Sequence, residues 1–277
     1  MRPVRMNVAV RASGVAVRYG EIVALGPSDF VIEKGGVTAV IGPNGSGKST
    51  LLNVIAGLVE PSAGSVEIDV APGRLAYVMQ STKVNENLPV TVREVVAMGR
   101  YATLGPYRPM GPTDREAVEA AMERLDLTDL AGRHLHDLSG GQRQRVLVAQ
   151  GLAQDHDLLL LDEPLTGLDI VTAQAIDQVI HNERSDGCTV IMTTHDLSEA
   201  RSADNVILLA GRVVASGPPA KVLTEESLVE AYGPTLLHVE RGRVFLDDPA
   251  HSPVAGRHSH QQRSIHTESD PSERHGR

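Results

Sequence analysis

The stretch VTAVIGPNGSGKST, residues 37–50, decides the fold of this chain. It opens with VTAVIG, an apolar run that predicts a buried β-strand, and continues with GPNGSGKST, which fits the pattern GxxxxGK[ST]. The segment STLLNVIAGL at 49–58 follows with apolar residues at helical spacing. A strand, a glycine loop and a helix in this order predict a phosphate-binding loop, because backbone N–H groups and a helix N-terminus together attract anions.

The residues of this loop have distinct predicted roles in holding a nucleotide and Mg²⁺. Glycines such as Gly45 and Gly47 let the backbone wrap the β-phosphate, because a side chain there would block the approach. Lys48 is expected to reach the β- and γ-phosphates, and Ser49 to ligate Mg²⁺. The predicted nucleotide-binding set is Gly42, Pro43, Asn44, Gly45, Ser46, Gly47, Lys48, Ser49 and Thr50.

A second apolar strand ends in two carboxylates. LLLLDEP at 158–164 predicts a buried strand followed by Asp162 and Glu163. Neighbouring carboxylates at a sheet edge repel each other unless a cation or solvent takes up their charge, which favours a functional interpretation over a solvated strand end. Asp162 is expected to hold the Mg²⁺ shell, and Glu163 to polarise the attacking water as general base.

Two further strands end in polar side chains. TVIMTTHD at 189–196 places His195 after a strand, where an imidazole can contact the γ-phosphate and the attacking water. RLAYVMQ at 74–80 ends at Gln80, whose carbonyl oxygen can reach Mg²⁺ and whose amide can position water. Glu163, His195 and Gln80 are therefore the predicted catalytic residues, and Gln80 is also a predicted Mg²⁺ ligand.

A second glycine-rich loop, LSGGQ at 138–142, stands at the start of another predicted helix. Its serine hydroxyl, Ser139 Oγ, and the Gly141 N–H predict a second anion-binding helix start. One nucleotide needs only one phosphate loop. If a helical insertion carries LSGGQ away from the first loop, the economical interpretation is that it serves the ATP of a second subunit.

The whole pattern predicts an α/β fold with a phosphate-loop core of the RecA-like type. GVAVRYG and DFVIEKGG near the N-terminus predict an antiparallel β layer, and the later alternation of strands and helices predicts a parallel sheet. An α-helical lobe over about 88–150 is predicted as an insertion in a domain spanning 1–245. The histidine- and serine-rich tail, 246–277, has almost no apolar residues and is predicted to be disordered.

Within the lobe, one helix has a specific predicted start. Thr113 and Glu116 fit a capping box, in which a hydroxyl and a carboxylate three residues apart satisfy free backbone N–H groups. The predicted buried face of that helix consists of Val118, Ala121, Met122 and Leu125. Further along, NVILLAGRVVASG at 205–217 predicts a β-hairpin.

The composition fits a globular protein and disfavours a nucleic-acid partner. The 277 residues are 41% hydrophobic with a formal net charge of −9, and binding a phosphate backbone needs concentrated Lys and Arg. The single cysteine, Cys188, fits a reducing compartment and is expected to be a small core residue. No apolar run reaches the length of a membrane helix, so membrane contact is expected only through a partner.

GPNGSGKST, LSGGQ, DEP, GLD and TTHD, in this order, resemble the nucleotide-binding subunit of an ATP-binding cassette (ABC) transporter over about residues 10–240. The resemblance implies an ATPase that works as a head-to-tail dimer, with two ATP molecules between one subunit's phosphate loop and the other's LSGGQ. It further implies that Tyr19 stacks on adenine and that His195 is the switch histidine. The residues that it implies act on the partner's ATP are Ser139, Gly140, Gly141, Gln142 and Asp169.

The sequence departs from the family pattern at one position, and two of its stretches suggest which cargo is transported. Gln150 stands where the family usually has an arginine, which bears on packing behind the LSGGQ helix. LPVTVREVVAMGRYATLG at 88–105 and GPPAKVLTEESLVEAYG at 217–233 resemble zinc and manganese importers, and more loosely iron–siderophore importers. An importer of manganese or zinc is therefore the leading interpretation. Shared packing of the lobe is the alternative explanation for these two stretches.

Two other classes compete with this interpretation. An exporter has the same ATPase, because the membrane subunits decide the direction of transport. A soluble ABC protein acting on ribosomes or DNA is disfavoured, since the chain has one cassette, no sustained heptads and an acidic balance. The expected partners are an integral membrane permease, a second copy or paralogous ATPase and a substrate-binding protein, with the chain peripheral on the cytoplasmic face of the membrane.

The tail adds a weaker hypothesis about metal binding. Five of the chain's eleven histidines, His251, His258, His260, His266 and His275, lie in it. Histidine-rich tracts can bind Zn²⁺ or Mn²⁺ weakly, which suggests sensing or buffering, although a solvated polar tail is the competing interpretation.

Overall fold

The computed structural model describes residues 7–80, 89–104, 108–233, 237–240 and 243–246. Its strands are β1 Val8–Tyr19, β2 Ile22–Glu33, β3 Val37–Ile41, β4 Ala63–Ile68, β5 Leu75–Val78, β6 Leu158–Leu161, β7 Thr189–Thr194, β8 Asn205–Leu209, β9 Val213–Gly217, β10 Leu237–Glu240 and β11 Arg243–Leu246. Its helices are α1 Lys48–Ile55, α2 Val92–Met98, α3 Tyr101–Leu104, α4 Pro112–Glu123, α5 Gly140–Ala153, α6 Ile170–Ser185, α7 Leu197–Ser202, α8 Pro219–Val222 and α9 Glu225–Tyr232. The predicted disordered tail lies outside the described residues from position 247 onward.

The core is a six-stranded sheet in the order β5–β6–β7–β3–β8–β9. The first five strands are parallel, and β9 pairs with β8 antiparallel as the predicted hairpin. Every residue of β3, β6 and β7 is buried. Strands rich in Val, Leu and Ile are buried throughout in this way when both faces of the sheet are covered. The predicted parallel α/β core is confirmed.

The N-terminal layer is a separate antiparallel sheet in the order β2–β1–β4. Residues Val15 and Val17 of β1 and Leu25, Phe30 and Ile32 of β2 are buried against one face of the core, beside α1. The third strand, β4, was not predicted. Its residues are exposed or half-buried, so the apolar alternation that identifies a strand is weak there.

Four helices, α2 to α5, lie between β5 and β6 and form the helical part of the predicted insertion. The start of α2 is a true capping box at Thr91 and Glu94: Thr91 N–H donates to Glu94 Oε2 at 2.7 Å, and Glu94 N–H donates to Thr91 Oγ1 at 3.4 Å. The sequence TVRE carried this signal, and it was not recognised.

The predicted capping box at Thr113 and Glu116 is wrong. Helix α4 begins two residues earlier than that box requires, at Pro112, with Gly111 as its N-cap. Proline is suited to the first helical position, and the carboxylate that accepts the Gly111 N–H at 2.9 Å is that of Asp114. The predicted apolar face is confirmed, since Val118, Ala121, Met122 and Leu125 are all buried.

Asp114 also forms a buried ion pair with Arg100. Its Oδ1 accepts from Arg100 Nη2 at 2.9 Å, and both side chains are buried. Arg100 also pairs with Asp155, at 2.9 Å, in the segment that leads into β6. The ion pair therefore links the helical segment to the core sheet. No helix of the described residues is both long and apolar enough to span a membrane.

Candidate active site

The residues that the sequence singled out lie at one edge of the core sheet. Strands β5, β6, β7 and β3 are neighbours and run parallel, so their carboxyl ends meet at that edge. Gln80 follows β5, Asp162 and Glu163 follow β6, and His195 follows β7. The glycine loop follows β3 and leads into α1. In open α/β sheets this edge is where ligands bind.

The glycine loop is shaped by positions that only glycine tolerates. Gly45 and Gly47 have φ angles of 79° and 101°, in the left-handed region. At Gly42, a Cβ atom would lie 2.2 Å from the carbonyl oxygen of Leu209. The backbone N–H of Ser46 donates to the Pro43 carbonyl at 3.1 Å. The loop is therefore a tight turn that delivers the start of α1 to the sheet edge.

Lys48 folds back into this loop. Its Nζ donates to the carbonyl oxygens of Gly42 at 2.8 Å and Pro43 at 3.2 Å. The side chain is 6% exposed. Burial lowers the pKa of Lys48, while the charges of Glu163 and Asp162 act in the opposite direction. An anion in the loop would favour the charged ammonium further.

Ser46 gives the loop an unused donor. Its Oγ is buried and has no hydrogen-bond partner among the described residues. Buried hydroxyls are normally paired, so an unpaired one within the glycine loop fits a site made for an external acceptor. The residues present therefore fit a bound phosphate group.

Asp162 is the buried carboxylate of the site. It is 1% exposed, and its Oδ1 accepts from Ser49 Oγ at 3.2 Å and from Thr193 Oγ1 at 2.9 Å. Carboxylate, hydroxyl and amide oxygens are hard donors of the kind Mg²⁺ prefers. Asp162 and Ser49, with Gln80 nearby, could hold this ion, and the donor set fits it.

Glu163 stands beside Asp162 in an unusual backbone conformation. Its φ is 51°, which non-glycine residues seldom adopt. The backbone N–H donates to Thr193 Oγ1 at 2.7 Å, and the side-chain Oε2 accepts from Gln80 Nε2 at 3.0 Å. The constrained backbone and the amide thus aim this half-buried carboxylate, which can act as a base toward a water at the sheet edge.

His195 lies at the same edge, after β7. Its Nδ1 is 3.4 Å from Thr166 Oγ1, in the turn between β6 and α6. The structure therefore brings Gln80, Glu163 and His195 to adjacent strand ends, as the sequence predicted. Tyr19 lies at the end of β1 and is 49% exposed, so part of its side chain is accessible to a ligand.

The second glycine loop starts α5, as predicted. Ser139 is its N-cap: Ser139 Oγ accepts from the Gln142 N–H at 3.2 Å, and Gln142 Oε1 accepts from the Ser139 N–H at 3.0 Å. A Cβ on Gly141 would lie 3.4 Å from Asp169 Oδ2, so this loop adjoins the start of α6. Asp169 caps α6 by accepting from the Thr172 N–H at 3.0 Å.

Sequence reasoning missed Thr193 and Thr166. Thr193 is fully buried and its hydroxyl joins Asp162 to the Glu163 backbone, so it fixes both carboxylates. The available signal was the pair of threonines that ends the strand TVIMTT. Thr166 carried no comparable signal, because its contact with His195 depends on a loop conformation that periodicity does not describe.

Three comparisons with known proteins bear on the family. A family model described as "ABC transporter" matches residues 25–166. The chain is 38% identical over 255 residues to the "chelated iron transport system membrane protein YfeB" of Yersinia pestis, covering 89% of this chain and 86% of that protein. It is 37% identical over 238 residues to the "manganese transport system ATP-binding protein MntA" of Synechocystis sp., covering 83% and 91%. It is 38% identical over 231 residues to the "zinc transport system ATP-binding protein TroB" of Treponema pallidum, covering 81% and 87%.

Solved structures agree. A metal-chelate type ABC transporter in an inward-facing conformation matches with a TM-score of 0.74 and 28% identity, covering 87% of this chain and 96% of that one. The ATP-binding cassette MJ0796, a dimer in a post-hydrolysis state with ADP and Pi, matches with a TM-score of 0.66 and 30% identity, covering 76% and 98%. The chain belongs to the ABC transporter family, as a nucleotide-binding ATPase subunit.

Proposed function

We propose that this ATPase drives the import of a transition-metal ion, manganese or zinc, through a membrane permease. The observation that carries the proposal is the likeness, over more than four-fifths of the chain, to ATP-binding proteins named for manganese and zinc transport. The ATPase does not touch the cargo in such a system. The residues of its own site therefore support ATP hydrolysis, whereas the similarity to named transport proteins supports the identity of the transported ion.

Hydrolysis follows from the groups at the sheet edge. The glycine loop and Lys48 hold the β- and γ-phosphates, with Ser46 Oγ as a further donor. Ser49, Asp162 and Gln80 would hold Mg²⁺, which would neutralise charge on the phosphates. Glu163, aimed by Gln80, takes a proton from the attacking water. His195 contacts the γ-phosphate and the water. Because its Nδ1 also lies 3.4 Å from Thr166 Oγ1, it links the γ-phosphate to the turn that contains Thr166.

A second subunit completes the site. Ser139 Oγ and the N–H groups at the start of α5 form an anion-binding helix terminus for the partner's ATP. Beside it, Ile170 and Val171 at the start of α6 are each 76% exposed, as expected of residues that an association covers. Gly140, Gly141, Gln142 and Asp169 belong to this surface. The assembly also contains a permease and a substrate-binding protein, and the chain lies on the cytoplasmic face of the membrane.

A chelated iron species is the second candidate cargo. The observation that favours it is the 38% identity to YfeB, which is named for chelated iron transport. Export and a soluble non-transport role have no comparable support among the relatives described above.

Total cellular metal tests the cargo. In cells that lack this protein, we expect manganese or zinc to fall by at least about threefold, a change that elemental analysis resolves. Restoration by the parent chain, and not by Glu163→Gln, would tie the uptake to hydrolysis. A fall in iron alone would favour the chelated-iron alternative. Unchanged levels of all three metals would refute metal import and leave the ATPase assignment standing.

Tyr19→Ala tests the proposed adenine contact. Stacking of a base on an aromatic ring contributes about 1–3 kcal/mol, so ATP affinity should fall by roughly 5- to 150-fold in equilibrium binding. Tyr19→Phe keeps the ring and should bind within about twofold of the parent. Tyr101→Ala is the matched control, because Tyr101 is 60% exposed in the helical segment. Unchanged affinity in Tyr19→Ala would remove this residue from the site.

A further inference from the structure

A second group of reactive side chains lies away from the ATP site. His156, Glu183 and Cys188 each offer one ligand atom, and these atoms all lie within 4.8 Å of one another, the one such group of His, Cys, Asp or Glu in the described part of the chain. His156 Nε2 lies 2.8 Å from Glu183 Oε2. His156 lies two residues before β6, and Cys188 directly precedes β7. The catalytic residues follow the opposite ends of these strands, so the two sites occupy opposite edges of the sheet.

We propose that His156, Glu183 and Cys188 bind a divalent transition-metal ion of Zn²⁺ type. Imidazole, thiolate and carboxylate are all common Zn²⁺ ligands, whereas Mg²⁺ and Mn²⁺ prefer oxygen donors alone. Tetrahedral Zn²⁺ with bonds of about 2.0–2.3 Å needs ligand atoms roughly 3.3–3.8 Å apart. The three ligand atoms lie within 4.8 Å of one another, so side-chain shifts of about an ångström would bring them to the separation that Zn²⁺ needs.

The surroundings of each ligand fit this role. His156 Nδ1 lies 2.7 Å from the Gln154 carbonyl oxygen, an arrangement that fixes the ring and leaves Nε2 to face the cluster. Glu183 Oε1 pairs with Arg124 Nη1 at 2.8 Å, so its other oxygen, Oε2, is directed to His156 at the same distance. The Cys188 N–H donates to the Glu183 backbone carbonyl at 3.0 Å, which holds the backbones of these two residues together. Such supporting contacts are typical of metal sites.

Protons occupy the cluster when no metal is bound. Burial disfavours a charged imidazole, but hydrogen bonds to Cys188, Glu183 and the Gln154 carbonyl raise the pKa of His156 to about 10. The Cys188 thiol donates to the Thr189 carbonyl at 3.4 Å. Binding therefore displaces the proton between His156 and Glu183 and the proton of the thiol, and leaves three ligands with lone pairs toward the ion.

Cobalt binding to the full-length protein tests the proposal. Thiolate coordinated to Co²⁺ gives a strong near-ultraviolet charge-transfer band, and Cys188 is the only cysteine of the chain. Such a band can arise only at Cys188, even if histidines of the tail or the ATP site also bind cobalt. We expect the band to saturate at about one Co²⁺ per chain and to disappear when Zn²⁺ is added. Binding of Co²⁺ without this band would overturn the proposal.

Variants separate a metal site from an ordinary buried ion pair. Cys188→Ala should abolish the band, and His156→Gln or Glu183→Gln should weaken cobalt affinity by more than about tenfold. His181→Gln is the matched control: His181 is exposed on the same helix and lies 3.4 Å from Asp177. The cobalt affinity of His181→Gln should stay within about twofold of that of the parent protein. If both His156→Gln and Glu183→Gln bind cobalt as tightly as the parent protein, Cys188 binds the ion without these two residues, and the proposed three-ligand site is wrong. The band in the parent protein decides the question even if a variant fails to fold.

Discussion

Replacement of Glu163 by glutamine should lower ATP turnover by about 10² to 10⁴-fold, the usual contribution of a positioned general base. The amide has nearly the same shape and can still accept from Gln80 Nε2, which donates to Glu163 Oε2 at 3.0 Å in the parent. The variant loses the ability to take a proton from water, while the glycine loop and Lys48 are untouched. ATP binding should therefore persist, and the ATP-bound dimer should accumulate because hydrolysis no longer opens it.

Two measurements check this result. Phosphate release gives turnover, and size-exclusion chromatography with and without ATP gives the dimer. Glu230→Gln is the matched control, since Glu230 makes an exposed pair with Arg212 at 2.8 Å, and it should hydrolyse ATP at the parent rate. Parent-like turnover in Glu163→Gln would refute the assignment of the base. A loss of turnover together with a loss of ATP binding would point to a damaged site instead.

The sequence predicted that the candidate site residues meet at one edge of the sheet, because each of them follows a predicted strand. Strands β3, β6 and β7 are rich in apolar residues, which indicates where they run, and parallel pairing then brings Lys48, Asp162 and His195 to one edge. The detailed geometry of the site could not be predicted from the positions of the strand ends. The positive φ of Glu163 and the bridging hydroxyl of Thr193 depend on tertiary contacts between β6 and β7.

Local signals failed where two of them competed. Thr113 and Glu116 fit a capping box, but Pro112 and Asp114 fit a helix that begins two residues earlier, and the buried partner Arg100 favours Asp114. That partner lies 14 residues away, beyond the reach of a local pattern. The cluster of His156, Glu183 and Cys188 was missed for the same reason. Cys188 was predicted to be a core residue, which its burial confirms, but its neighbours come from two other segments.

Replacement of Ser139 by arginine should abolish ATP-dependent dimer formation and lower turnover to background. Ser139 is the exposed N-cap of α5, so the new side chain would fill the space into which the partner's phosphates would enter. Each subunit binds ATP first through its own glycine loop. Affinity for ATP in the separated subunit should therefore stay within about threefold of the parent, and the defect should be confined to association.

The dimer test is sharpest in the Glu163→Gln background, where the ATP-bound dimer should persist long enough for chromatography. Ser139→Arg also removes a helix cap, which costs about 1 kcal/mol of stability. Thr224→Arg controls for that cost: Thr224 is the exposed N-cap of α9, accepting from the Ser227 N–H at 3.3 Å. It should leave the dimer intact. Ser139→Thr keeps a capping hydroxyl and should dimerise. If Ser139→Arg still dimerises on ATP, LSGGQ does not face the partner's nucleotide, and the second glycine loop is only the start of a helix.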